Sequence, residues 1–213
     1  MYNGTMGRRF SPNRSRSRSY DNELGRKRRE DDLIIALDPS GNFTEGKGTT
    51  GWCVSNGDFI FAAGQVYAAE YRSQMEYWEA VLDIIRKNIQ RESKSLTVVC
   101  EDYRLYASAS EAQINSNLET PQLIGVIKFF CHTYGIPIVM QMASEVKNRW
   151  SNEVLLELGK IQKDGRAYRI GSIPLSNHSL DAVRHCLHYA QFKMRPQKPR
   201  AYHSNTRRFS YYD

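Results

Sequence analysis

The alternation of apolar and polar stretches divides the chain into a short series of elements. Residues 33–37 are an unbroken apolar run that stops at Asp38-Pro39-Ser40-Gly41, which reads as a buried strand with a carboxylate at its end. Residues 48–55 (GTTGWCVS) and 59–67 read as two more strands, joined by the hairpin signal Asn56-Gly57. Between 70 and 91, Tyr71, Met75, Trp78, Val81, Leu82, Ile85 and Ile89 recur at helical spacing, so this stripe is expected to face the core. Residues 96–100 repeat the first pattern, a short apolar strand that ends in Glu101-Asp102. Residues 103–118 are polar and predict a loop or a partly ordered lid. Thr120-Pro121 opens a helix that runs to 134 and is closed by Gly135. Residues 136–140 form a fifth strand, and Ser144 is expected to cap a helical turn that carries Lys147, Arg149 and Trp150. Residues 151–165 read as helical, with a turn at Asp164-Gly165, and the last helix covers 177–192 with Asn177 or Ser176 as its cap.

The order β-β-β-α-β-α-β-α predicts an α/β fold. Three antiparallel strands, then alternating helices and strands, give a mixed sheet with helices on both faces. Residues 31–192 suffice for one domain with a sizeable core. No apolar stretch is long enough to span a membrane, and the N-terminus lacks the apolar segment of a secretory signal. Cys53, Cys100, Cys131 and Cys186 are widely spaced with no C-x-x-C pair, which suits a reduced, cytoplasmic protein.

Charge changes this picture at the ends. The chain carries +7 overall, but residues 1–30 hold nine Lys/Arg against three acids, and residues 193–213 six against one. The middle is therefore net negative, flanked by two basic tails. The first tail contains RSRSRS and RKRRE with almost no aliphatic residues; it is expected to be disordered and to serve as a nucleic-acid-binding arm or as a solubilising tail. Arg residues accompany Tyr103 and Tyr106 in the loop and Tyr202, Phe209, Tyr211 and Tyr212 in the last tail, a composition that suits stacking on unpaired bases or docking on protein.

Four groups could carry chemistry: Asp38, Glu101, His178 and Asp181. Each alone has an ordinary reading, as a turn-former, a strand exit or a first-turn helix residue. Together they are more pointed. His178 and Asp181 lie three apart and share a helix face. Strand ends on one sheet edge can bring Asp38 beside Glu101, with Asp102 as the alternative. With no balancing Lys inside these motifs, the acids would repel one another without a cation. Hard oxygen donors suit Mg²⁺ or Mn²⁺, and two such ions can drive phosphodiester hydrolysis. A zinc site of His178, Asp181 and His185 is a further possibility from the shared face, with His185 packed beneath the acids as the simpler reading.

The sequence resembles the RuvC-type Holliday-junction resolvases of the RNase H-like superfamily. The resemblance rests on LIIALDPSG with its Gly-rich hairpin and TGW, on VVCED, on ASEVKNRWSNEVLLEL, and on an H-x-x-D that opens DAVRHCLHYA, in that order over residues 32–192. It implies an RNase H-like five-stranded mixed sheet flanked by helices. It implies that Asp38 bridges two ions, Glu101 is the second ligand, and His178 and Asp181 complete the site. Lys147 would contact the scissile phosphate. The expected partners are branched DNA and a second copy of the chain, with paired nicks leaving 5′-phosphate and 3′-hydroxyl ends. The tails and the longer loop 42–47, with Glu45, depart from the family and suggest a phage-type member acting in a host cytoplasm. Two other readings stand beside this one. One is a nuclease of the same core that cuts flaps, hybrids or packaging concatemers; the absence of a G-x-x-x-x-G-K-[ST] loop counts against an ATPase-linked packaging role in this chain. The other is a non-catalytic nucleic-acid binder that works through its tails.

Overall fold

The computed structural model describes residues 32–89, 95–104 and 117–194. The expected arms at 1–30 and in most of 193–213, and most of the expected lid at 103–118, lie outside the described residues. Asp32–Asp38 (β1), Thr49–Ser55 (β2) and Ile60–Tyr67 (β3) form the antiparallel meander. Gln74–Ile89 (α1) follows a 3₁₀ turn, and Ser95–Asp102 (β4) returns parallel to β1. Glu119–Thr133 (α2) leads to Ile138–Met142 (β5), parallel to β4. The strand order is β3-β2-β1-β4-β5, the mixed five-stranded sheet expected from the sequence.

The central strand β1 is apolar at both parities because both of its faces are covered. Leu33, Ile35 and Leu37 pack with Val98 and Cys100 under α1 and α2. Ile34 and Ala36 pack with Val99 on the opposite face, under Leu180, Val183 and Cys186. Full burial of such side chains stabilises the fold by roughly 1.5–3 kcal/mol each. Among the described residues, no helix is long and apolar enough to cross a membrane.

Three local expectations are corrected. The core stripe of α1 is Tyr77, Val81, Leu82 and Ile85; Met75 and Ile89, in its first and last turns, reach past the sheet and are exposed. Ser144 caps nothing, because Ala143–Arg149 (α3) starts directly from β5 with Met142 at its N-cap. Residues 151–165 are helical only over Asn152–Glu157 (α4), capped by Ser151. Beyond it lies a second sheet, Gln162–Asp164 (β6), Ala167–Ile170 (β7) and Ile173–Leu175 (β8), in antiparallel order. The last helix, Asn177–His188 (α5), takes Ser176 as its cap in a capping box with Ser179, then widens into a π-helical turn at Tyr189–Lys193.

Candidate active site

Strand parity decides which acids can meet. On β1, Asp38 continues the Ile34–Ala36 face; on β4, Glu101 continues the Val99 face; both faces lie toward α5. Asp102 has the opposite parity, although it and Glu101 both border a pocket with Tyr103, Arg104 and Thr120. Between the two β4 acids, the fold places Glu101 with Asp38.

Asp38 is held from below by a hydrogen-bonded turn. The Tyr77 hydroxyl donates to the Ser40 carbonyl (2.7 Å) and lies 2.7 Å from Thr50 Oγ1. Burial pushes the Tyr77 hydroxyl up to about 12, so it stays a neutral donor. The following loop is stitched to α2: Gly41 N–H donates to Thr120 Oγ1 (2.9 Å), and Thr44 donates through its backbone N–H and its hydroxyl to the buried Glu119 carboxylate. Glu45, in the same loop, is exposed and pairs with Lys47.

Helix α5 supplies the other side of the site. It approaches β2 at Gly51, the residue opposite Asp38 in the ladder; a Cβ there would overlap the backbone of His178 and Ser179. This close approach brings His178 Nδ1 to 2.8 Å from Asp38 Oδ2. One turn on, Asp181 Oδ2 accepts from Lys147 Nζ of α3 (2.8 Å), and its Oδ1 accepts from Arg184. Arg184 is itself fixed by the Trp150 carbonyl (2.9 Å) and by Asn152 Oδ1. One turn further, the fully buried His185 places Nε2 at 2.9 Å from Glu101 Oε2 and Nδ1 at 2.9 Å from the Gln141 side-chain amide of β5. A ring held at both nitrogens has a fixed orientation, and here it fixes Glu101.

The electrostatics follow from this crowding. Burial, then the charges of Glu101 and Asp181, hold the Asp38 carboxyl above its ordinary value, against the opposing hydrogen bond from His178. That same bond raises His178 above the usual imidazole value despite its partial burial. Lys147 loses some basicity to burial, but Asp181 and the other acids more than restore it, so its ammonium is held charged.

Asp38, Glu101, His178 and Asp181 thus converge on one sheet edge, with Lys147 beside them. The expectation that no cation balances the acids is wrong: Lys147 and Arg184 both pair with Asp181. Arg184 was legible as a partner, since it lies three residues beyond Asp181 on the same helix. His185 lies beneath the site, as its position in the helix stripe suggests. Its bonds to Glu101 and Gln141 turn it away from His178 and Asp181, so the zinc triad is not formed. Among the described residues, no three His, Cys, Asp or Glu side chains are grouped closely enough to hold one ion in this arrangement. Asp38 Oδ1 and Glu101 Oε1 receive no hydrogen bond from the described residues; as hard oxygen donors on one face, they fit Mg²⁺ or Mn²⁺.

No family model matches the chain, and no curated protein matches it. Among solved structures it is similar to T. thermophilus RuvC in complex with Holliday junction substrate, at 15% identity and a TM-score of 0.54, over 75% of this chain and 92% of that one. The fold is RNase H-like. At this identity the likeness concerns the backbone architecture, and the roles of individual residues rest on the geometry above.

Proposed function

We propose that this protein is a divalent-metal-dependent endonuclease that cleaves branched DNA in the manner of a Holliday-junction resolvase. The observation that carries the reading is the convergence of Asp38, Glu101, Asp181 and His178, from β1, β4 and α5, on one edge of an RNase H-like sheet. The similar RuvC structure contains a Holliday junction, which supports branched DNA as the substrate class.

Asp38 and Glu101 would hold one Mg²⁺ or Mn²⁺, and Asp181 with His178 a second. When bound, such ions supply an activated water and neutralise charge on the leaving oxygen of a phosphodiester. The protein's own groups have distinct tasks. Tyr77 and Thr50 hold the turn after Asp38 rigid. His178 orients the Asp38 carboxylate, and His185 orients Glu101. Lys147, kept cationic by Asp181, would contact the scissile phosphate. Arg184 positions Asp181 from the protein side. Hydrolysis would leave 5′-phosphate and 3′-hydroxyl ends.

Paired nicks require two sites, and α2 offers a surface for a second copy. Phe129 is 72% exposed, with open space over Gly125 one turn before it. An exposed aromatic beside a small residue suits close packing of two helices.

The double ion pair at Asp181 favours one second reading, a nucleic-acid-binding protein in which Lys147 and Arg184 have closed the site. A substrate panel separates the two. Incubation with a four-way junction, a flap, an RNA–DNA hybrid and a linear duplex in Mg²⁺ or Mn²⁺ is expected to give paired nicks in the junction alone. Equal cutting of the flap or hybrid would retain a nuclease and retire junction specificity. Binding without cutting throughout would favour the closed site.

A further inference from the structure

The second sheet, β6–β8, has no part in the site described above, yet its charge sets it apart. Residues 31–192 are net negative, but residues 160–175 carry Lys160, Lys163, Arg166 and Arg169 against the single acid Asp164. Lys163, Arg166 and Arg169 are exposed, and among the described residues none of the four pairs with an acid. Elsewhere Lys47, Arg86, Lys147 and Arg184 pair with acids.

The sheet is built to hold these charges in fixed places. Its inner row, Tyr168, Ile170, Ile173 and Leu175, packs into the core beneath α5. Arg169 belongs to the outward row, opposite Gln162 and Pro174; Lys163, opposite Tyr168, is on the other parity and is exposed at the edge strand β6. Both hairpins turn over two residues with glycine first, at Gly165 (φ +59°) and Gly171 (φ +56°), where only glycine adopts a positive φ without strain. Arg166 therefore stands at a tight, defined tip.

Position completes the argument. β8 packs on β3 and α5. It ends at Leu175, Ser176 caps α5, and His178 follows two residues later. The meander is thereby joined directly to the first turn of α5, which carries His178.

We infer that the β6–β8 meander is a phosphate-binding platform for a duplex DNA arm adjoining the candidate active site. Lys163 and Arg166 contact backbone phosphates there and contribute affinity without reading sequence. The inference rests on the nuclease reading for the identity of the polyanion.

The test measures binding of the full chain to a fluorescent four-way junction in EDTA across a salt series. Each phosphate contact contributes about 0.9 to the slope of log K against log salt. The Lys163→Gln/Arg166→Gln variant is expected to bind more weakly, with a slope shallower by about 2. Lys87→Gln, an exposed charge on α1 across the sheet, is expected to leave the slope unchanged. Equal thermal midpoints for all three proteins show that each is folded. An unchanged slope in the double variant, or an equal loss with Lys87→Gln, would overturn the platform. The nuclease reading fails separately: a wild type that binds with the steeper slope but never cuts retains the platform and loses the enzyme.

Discussion

Gly51 lies against the backbone of His178, so closely that β2 and the first turn of α5 leave no space for a methyl group between them. Because Gly51 also faces Asp38 across the β1–β2 ladder, one missing side chain sets the distance between the two halves of the site. Gly51→Ala must push α5 outward. Overpacking of this kind costs about 1–3 kcal/mol, or roughly 2–10 °C in thermal midpoint for a chain of this size. Cleavage should fall more than stability explains, because His178 and Asp181 move with the helix. A variant of unchanged midpoint and unchanged rate would show that α5 docks less tightly than the structure indicates.

Asp38 is buried close to the charges of Glu101 and Asp181. Its folded pKa is raised, so ionised Asp38 opposes folding at neutral pH. Asp38→Asn removes that cost while keeping an oxygen for His178. In EDTA at pH 7 the variant should melt a few degrees higher than wild type, at about 2–4 °C for each kcal/mol. Added Mg²⁺ or Mn²⁺ should raise the midpoint of wild type and leave the variant's where it is. A variant less stable in EDTA would mean that the His178 bond outweighs the burial of the charge.

The pH dependence has a definite sign. The hydrogen bond with Asp38 raises the folded pKa of His178. Its contribution is complete below the ordinary imidazole value of about 6.5 and is lost as pH rises through the higher folded value. The gap in thermal midpoint between wild type and His178→Ala, measured without metal, should therefore be widest in mild acid and narrow toward alkaline pH. A gap that is constant or widens with pH would contradict the bond.

How much of this could be read from the residues alone depends on the length and burial of each element. The five main strands were legible because β1 is apolar at both parities and β2, β3 and β4 are bounded by turn residues or acids. The edge that carries the candidate site was legible because two apolar strands each end in a carboxylate and an H-x-x-D opens the last helix. The meander was not, because strands of three or four residues such as QKD and AYRI bury one side at most and carry Lys and Arg. Its only signals are the dipeptides Asp164-Gly165 and Gly171-Ser172. The choice between Glu101 and Asp102 needed the register of β4 against β1, which no local pattern supplies.

Lys147 and Asp181 sit 2.8 Å apart, and the pair divides two roles for the lysine. As a phosphate contact it acts on the reaction itself. Lys147→Met should then lower the cleavage rate about 10²-fold, the scale of losing one preorganised electrostatic contact, with junction affinity little changed. A lysine that merely neutralises Asp181 would leave the rate near wild type and change only metal affinity.

The exposed face of α2 can be tested through oligomeric state. If Phe129 meets a second copy beside Gly125, Phe129→Lys should convert a dimer to a monomer in sedimentation experiments. It should also turn paired nicks into single nicks. A wild-type chain that is monomeric at working concentration, or a dimer that survives the substitution, would remove α2 from the interface.

The most direct measurement of the central claim is cleavage of a synthetic four-way junction by wild type and Asp38→Asn, with Mg²⁺ and with EDTA. The account predicts paired nicks bearing 5′-phosphates for wild type in Mg²⁺, and none with EDTA or with Asp38→Asn. Nicking that persists in Asp38→Asn, or junction binding by wild type without nicking in either Mg²⁺ or Mn²⁺, would contradict it.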